Sequence, residues 1–371
     1  MANLFDPITI GDVTLENRIV MGPLMRNRTP DAVPNALNVE YYRQRATAGL
    51  IISEATAITE QGQGYSHTPG IYNDACVEGW RQVTTAVHEA GGKIFCQLLH
   101  VGRISHKSLQ PFGDPPVAPS AIQAKAKTFV IYPDGTSDFI ETSMPRALKP
   151  FEISGIIDDF RRAASRAMDA GFDGVEIHAA NGYLIDQFMR SGPNQRTDLY
   201  GGPLENRARF MFDIVGSISR EIGPGRTAIR LSPVAPSNDI QGDKPQALFN
   251  YVASQLSAYD LAYVHVIEGA TGGERNYVQG PVPFDYEQMR ETYYRTDGTG
   301  AWMVNNGYDR QLAIDALEKE RADLICFGRS FIANPDLVRR LRINAELNPV
   351  DQRTLFGGGA EGYVDYPVLG G

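Results

Sequence analysis

His178, Asn181 and Tyr183 fall within six residues of one another in His178-Ala179-Ala180-Asn181-Gly182-Tyr183. They follow a short apolar run, residues 172–177, that reads as a buried strand. An imidazole, an amide and a phenol at a strand mouth form a polar constellation rather than a packing solution. In parallel α/β proteins ligands bind beyond the carboxyl ends of the strands, so these groups stand where chemistry is expected. Each alone has a plainer use: a satisfied structural histidine, a turn asparagine before glycine, a packed tyrosine. Together they need three separate excuses.

Other strand ends add to this. Arg230 lies inside the apolar run Ala228-Ile229-Arg230-Leu231. A buried guanidinium needs an anionic or electron-rich partner, either a structural ion pair or a ligand that gathers negative charge. Cys326-Phe327-Gly328-Arg329 and Asn305-Asn306-Gly307 end the last two apolar runs. Glycines that let backbone amides approach, with an arginine beside them, fit a phosphate site better than two ordinary turns. Gln97, Ala57 and Pro23-Leu24-Met25-Arg26 also sit at strand ends and say little alone.

The elements that must place these groups alternate. Residues 5–18 read as a hairpin around Gly11-Asp12. Strands are predicted at 18–24, 50–57, 93–99, 172–177, 227–231, 261–267, 301–304 and 323–327. Helices are predicted at 38–48, 74–90, 151–170, 205–222, 245–258 and 309–320, with a less regular segment near 283–294 and a closing helix from Pro335. In helix 151–170 the apolar residues Ile153, Ile156, Ile157, Phe160, Ala163, Ala164, Ala167 and Met168 recur at threes and fours. Eight strands alternating with helices fit a (β/α)8 barrel, with residues 1–371 as one domain. Residues 100–150 interrupt the rhythm after the third strand and contain a hairpin with an Asp134-Gly135 turn. A lid or pocket wall is the expected role. The glycine-rich tail, Gly357-Gly358-Gly359-Ala360-Glu361-Gly362-Tyr363, reads as a flexible closing turn.

Composition sets bounds. Of 371 residues, 42% are hydrophobic and 21% charged, as for a soluble globular protein. A net charge of −9 argues against nucleic acid or an anionic membrane as partner. The three cysteines show no metal-ligand spacing, so no metal is expected. Cys96 and Cys326 read as buried thiols and Cys76 as partly exposed. A cytoplasmic, reducing compartment is expected. The N-terminus lacks the pattern of a secretory signal, and no run reaches the ~20 apolar residues of a membrane span.

The ordered set of motifs resembles a known family. His178-Ala179-Ala180-Asn181-Gly182-Tyr183-Leu184, then Asn194-Gln195-Arg196-Thr197-Asp198-Leu199-Tyr200-Gly201-Gly202 and Glu205-Asn206-Arg207, are similar to the signature of the old yellow enzyme family of flavin-dependent ene-reductases. The resemblance runs from Leu4-Phe5-Asp6-Pro7 to the glycine-rich tail. Within the family it is nearest to the bacterial N-ethylmaleimide reductase and pentaerythritol tetranitrate reductase type. It implies a TIM barrel holding non-covalent FMN, reduced by NADPH or NADH, that then reduces an electron-poor alkene in a ping-pong cycle. It also implies residue roles. His178 and Asn181 bind the carbonyl or nitro oxygen of the substrate, and Tyr183 protonates the α-carbon. Arg230 lies by the pyrimidine end of the flavin. Gln97, Ala57, Pro23, Leu24 and Met25 bind the ring, and Asn306, Gly307, Gly328 and Arg329 hold the ribityl phosphate. Tyr65, Leu99 and Phe356 line the substrate pocket. A monomer or homodimer is expected. A flavin-free barrel lyase would use the same phosphate loops but has no ready use for His178, Asn181 and Tyr183 together. A protein that only stores FMN needs no proton donor.

Three positions depart from the family's usual residues: Met25 for threonine, Gly22 for alanine and Leu99 for a bulky tryptophan. Alternation also puts Glu176 on the same strand face as His178. That gives the expectation that Glu176 is the counter-charge of Arg230.

Overall fold

The computed structural model describes residues 2–370. The barrel strands are β1 (Ile19–Met21), β2 (Leu50–Ile52), β3 (Ile94–Leu99), β4 (Gly174–Ala179), β5 (Thr227–Leu231), β6 (Tyr263–Ile267), β7 (Ala301–Asn305) and β8 (Leu324–Phe327). Each pairs in parallel with the next, and β8 pairs with β1, closing the barrel. Helices α1 (Ala36–Arg43), α2 (Asp74–Glu89), α3 (Pro150–Asp169), α4 (Leu204–Ile222), α5 (Pro245–Leu256), α6 (Tyr286–Arg295), α7 (Arg310–Glu318) and α8 (Leu337–Ile343) alternate with the strands. The face of α3 that buries Ile153, Ile156, Phe160, Ala163, Ala164 and Ala167 is the one its periodicity predicts. Among the described residues no helix is long and apolar enough to cross a membrane.

Strand boundaries differ where side chains compete with the ladder. The run expected at 50–57 breaks after β2 and resumes at Thr56–Ala57, which pairs with β3. In the break, the Ser53 and Thr56 hydroxyls both donate to the Glu54 carbonyl, at 3.0 and 2.8 Å. Strand β4 starts at Gly174, two residues later than expected, because the Asp173 carboxylate caps the Ile94 amide at 2.8 Å. It also runs two residues further, to Ala179, so His178 lies within the strand. The irregular segment near 283–294 is the regular helix α6, capped by Asp285. Its buried residues are Met289 and Tyr293, set among Glu287, Gln288, Arg290, Glu291 and Arg295, so the segment is amphipathic but too polar overall to stand out as an apolar pattern.

The N-terminal hairpin, Ile8–Ile10 against Val13–Leu15, seals one end of the barrel. Its Ile10, Val13 and Leu15 pack with Leu50, Phe95, Tyr263, Met303 and Leu324. Gly174 has no side chain because Phe95 occupies the space: a Cβ there would lie 2.5 Å from its ring. Residues 100–150 carry the hairpin Lys127–Ile131 and Ser137–Glu141 at the opposite end.

Two expectations are corrected. The C-terminal tail is clamped rather than flexible. Tyr363 is fully buried and stacks on Tyr41 with centroids 4.1 Å apart, while Arg26 and Arg28 donate to the tail carbonyls of Thr354, Leu355, Gly359, Glu361 and Gly362. Cys76 is buried, packed at the start of α2 with its thiol on the Ala32 carbonyl.

Candidate active site

A cavity of about 560 Å³ opens at the carboxyl ends of the strands, within the range of small-molecule sites. Pro23, Leu24 and Met25 form one wall. Gln97, His178, Asn181, Tyr183 and Arg230 rise from β3, β4 and β5 and the loop after β4. Asn306, Gly307, Gly328 and Arg329 close the side of β7 and β8, and Tyr65 and Phe356 stand at the rim. Two expected residues do not line it. Ala57 lies behind the wall, paired with Leu99 across the ladder, and Ala55 takes its place because β2 breaks there. Leu99 sits beneath the wall in an apolar cluster with Ala55, Val101, Ile104, Ala124 and Tyr183, against which Met25 and Tyr65 pack. Gly22 also lines the cavity, and a Cβ there would meet the Cys326 sulfur at 2.7 Å. Cys326 thus explains the glycine.

The loop after β4 is built to hold its polar groups still. Asn181 adopts a left-handed backbone, φ 59°, which asparagine tolerates better than most residues. Its amide N–H donates to the Ser232 hydroxyl at 2.7 Å. The next amide, of Gly182, donates to Asp186, which is itself buried against Arg190 at 2.7 Å. Thr271, from the loop after β6, donates to the Asn181 side-chain oxygen at 2.7 Å. The Asn181 NH2 group remains available to a ligand. The Tyr183 and Tyr65 hydroxyls are 3.0 Å apart, and the His178 ring meets the Tyr183 ring edge-on at 5.0 Å.

Electrostatics set the protonation states. Burial pushes the Tyr183 phenol above its ordinary value, only partly opposed by its Tyr65 contact. Burial, reinforced by the nearby Arg230 and His265, holds the His178 imidazole well below its ordinary value. At neutral pH Tyr183 is therefore a proton donor and His178 is uncharged.

Arg230 is 6% exposed. It donates to the Asn305 side-chain oxygen at 3.0 Å, and its Nε has no partner. No carboxylate among the described residues lies within ion-pair distance of it. The expected Glu176–Arg230 pair is thus not a direct contact. Glu176 instead accepts from the Gln97 amide and the His265 imidazole, each at 2.7 Å. A cation with no direct carboxylate partner, beside the Gln97 amide, favours an electron-rich, carbonyl-bearing ligand at this end of the cavity. At the other end Arg329 donates to the Gly272 carbonyl at 2.8 Å. A Cβ on Gly328 would meet only Leu24, at 3.7 Å, so the backbone there is open to close approach. Asn306 commits its side chain to the loop after β6, bonding the Glu268 and Ala270 carbonyls and the Gly272 amide. A cation-and-amide end joined to a glycine-and-arginine end matches the two ends of a flavin mononucleotide.

Sequence reasoning missed Ala55, His265 and Thr271, and read Asn305 as part of the phosphate loop, whereas its side chain accepts from Arg230. His265 carried a readable signal, since it interrupts the apolar strand Tyr263-Val264-His265-Val266-Ile267 as Arg230 interrupts its own. Thr271 lies in an aperiodic loop and carried none.

A parallel barrel with this constellation at its strand mouths defines a flavin-dependent barrel oxidoreductase. Residues 3–348 match the model of the NADH:flavin oxidoreductase / NADH oxidase family, and the chain belongs to that family. It is 40% identical to 12-oxophytodienoate reductase 7 of Oryza sativa subsp. japonica, over 100% of this chain and 95% of the relative. It is also 40% identical to 12-oxophytodienoate reductase 2 of Arabidopsis thaliana, over 99% and 96% of the two chains. Among solved structures, morphinone reductase in complex with tetrahydroNAD superposes with a TM-score of 0.93 at 46% identity, covering 100% of this chain and 98% of the other. The old yellow enzyme homologue from Zymomonas mobilis gives 0.92 at 42% identity, covering 99% and 100%. The protein is an FMN-dependent ene-reductase of the old yellow enzyme type that uses a nicotinamide coenzyme.

Proposed function

We propose that His178 and Asn181 hold the oxygen of an electron-poor alkene and that Tyr183 delivers the proton that completes its reduction. The arrangement of these three groups on one cavity wall carries the reading. Neutral His178 and the Asn181 NH2 group, its oxygen engaged by Thr271, are donors aimed at an oxyanion. They polarise the alkene by withdrawing charge toward its oxygen. Tyr183 keeps its proton because burial stabilises the neutral phenol. Tyr65 holds the Tyr183 hydroxyl in place at 3.0 Å.

Bound FMN supplies the hydride for the alkene and accepts one from NADPH or NADH. Pro23, Leu24, Met25, Ala55, Gln97 and Arg230 would hold its ring. Gly307, Gly328, Arg329 and the backbone of Asn306 would hold its phosphate, and Ala57 and Leu99 support the wall from behind. The substrates are α,β-unsaturated ketones and aldehydes, maleimides and nitroalkenes. The oxo and ketone names of the relatives fit an acceptor whose oxygen two donors can grip. Three buried, unpaired cysteines support a cytoplasmic location. The protein would act as a monomer or homodimer.

The test is Tyr183→Phe in anaerobic stopped flow. NADPH or NADH should bleach the flavin as fast as in the parent, while reoxidation by cyclohexenone slows about 10²- to 10⁴-fold. Unchanged reoxidation would remove Tyr183 from the role. A parent flavin that bleaches but never returns with any activated alkene would remove the substrate class.

A further inference from the structure

A charged cluster lies beneath the cavity floor that proton delivery does not use. Glu176 and His265 are fully buried inside the barrel. A carboxylate there is expensive unless its oxygens are satisfied. Its Oε2 accepts from His265 Nδ1 and its Oε1 from Gln97 Nε2, both at 2.7 Å. The backbone of Gln97 is fixed as well, its N–H donating to the Ser53 hydroxyl at 3.0 Å.

The second bond has a consequence for the cavity. Glu176 is ionised and only accepts hydrogen bonds. Burial alone would push its carboxyl up, but His265, Arg230 and Gln97 more than offset this and hold it below the ordinary value. Gln97 must therefore turn its NH2 group down to Glu176, and its oxygen is the atom left for the cavity it lines. A flipped Gln97 would set its oxygen against the carboxylate. The floor thus offers an acceptor from Gln97 next to a cation from Arg230. That pattern matches an imide edge, an N–H flanked by carbonyl oxygens, which is the pyrimidine end of a flavin.

We infer that the buried Glu176–His265 pair is a positioning element that locks Gln97 as an acceptor toward the imide edge of FMN and sets the charge felt beside Arg230. The inference rests on Gln97 and Arg230 meeting the ring. Gln97→Leu checks that separately, since it should weaken FMN binding by itself.

The experiment is a double-mutant cycle on the full-length protein stripped of flavin, read as the FMN dissociation constant by fluorescence titration. The midpoint potential of the bound flavin is the second readout. Glu176→Gln supplies a neutral amide that can face Gln97 either way, so the lock is lost. Expected is an FMN dissociation constant raised about ten- to a hundredfold, the range of one hydrogen bond to a charged group. In the Gln97→Leu background the same substitution should change it by less than about threefold. The potential should rise in Glu176→Gln, because removing a negative charge beside Arg230 favours the electron-rich reduced flavin, and stay near the parent value in Glu176→Asp. Equal losses with and without Gln97, or an unchanged potential in Glu176→Gln, would reduce the pair to core packing and overturn the inference. Should Glu176→Gln fail to accumulate, Glu176→Asp carries the same cycle, since it keeps the charge but withdraws the oxygen from Gln97.

Discussion

The barrel interior holds two neighbouring layers of opposite character. The two are staggered from strand to strand, as the pairing of His265 with Met303 shows, and a step of two residues leads from one to the other: Phe95 to Gln97 on β3, Ala228 to Arg230 on β5, Tyr263 to His265 on β6 and Met303 to Asn305 on β7. The lower members join the N-terminal hairpin in one apolar cluster. The upper members are buried too, yet carry two amides, a guanidinium and an imidazole. A step of two residues keeps a side chain on the inward face, so neighbouring inward positions can serve different ends. Packing governs the lower layer, where volume matters. Hydrogen-bond direction and charge govern the layer above it, where the ligand completes the partners.

Substitutions in each layer should therefore fail differently, and the contrast can be broken by showing that they do not. The largest effect is expected in the lower layer. Phe95→Ala leaves a void beside Tyr263, whose ring centroid is 5.7 Å away. It should cost about 3–5 kcal/mol of stability in chemical denaturation. The flavin half-reactions of the folded fraction should be unchanged, and a comparable loss of rate would show that the layers are not separable.

His178→Leu, in the upper layer, keeps volume and removes a donor. Reoxidation by an enone should slow about 10²- to 10³-fold, with the denaturation midpoint near that of the parent. A midpoint that falls as far as in Phe95→Ala would make His178 a structural residue.

A smaller effect tests how finely the upper layer is oriented. Thr271→Val removes the donor that fixes the Asn181 amide and should raise the enone KM about two- to tenfold, the worth of one neutral hydrogen bond. Thr271→Ser should restore it. Equal KM values for both variants would take Thr271 out of substrate positioning.

The smallest effect expected is an absence of pH dependence. A general acid works while protonated, and the folded-state pKa of Tyr183 lies above the ordinary value of about 10. The reoxidation rate should therefore stay level from pH 6 to about pH 9 and decline only beyond the ordinary phenol range. His178 is displaced in the opposite direction and stays neutral over the same interval. A titration near pH 6.5 in the parent, lost in His178→Leu, would show that its imidazole is charged in the working enzyme.

The barrel was legible because parallel strands buried on both faces leave dense apolar runs, and the helices between them keep their own period. The constellation of His178, Asn181 and Tyr183 was legible because all three lie in one short stretch. The misreadings share a cause. Ala57 was chosen over Ala55 because residues 50–57 read as one strand, whereas hydroxyls on the Glu54 carbonyl break it. Arg230 was matched with Glu176 because both point inward. Strand register puts Glu176 level with Gln97 and Ala228, and Arg230 level with His178 and His265.

The sequence by itself determined which positions face inward, where the polar groups gather and which family motifs they form, since periodicity and motif spacing are local properties of the chain. Tertiary structure alone decided which polar group answers which. Hydrogen bonds between strands depend on register and on distances of a few ångströms between residues far apart in the chain: Gln97 and Glu176, Glu176 and His265, Asn181 and Thr271. No local pattern encodes those distances, because they exist only once the barrel has closed.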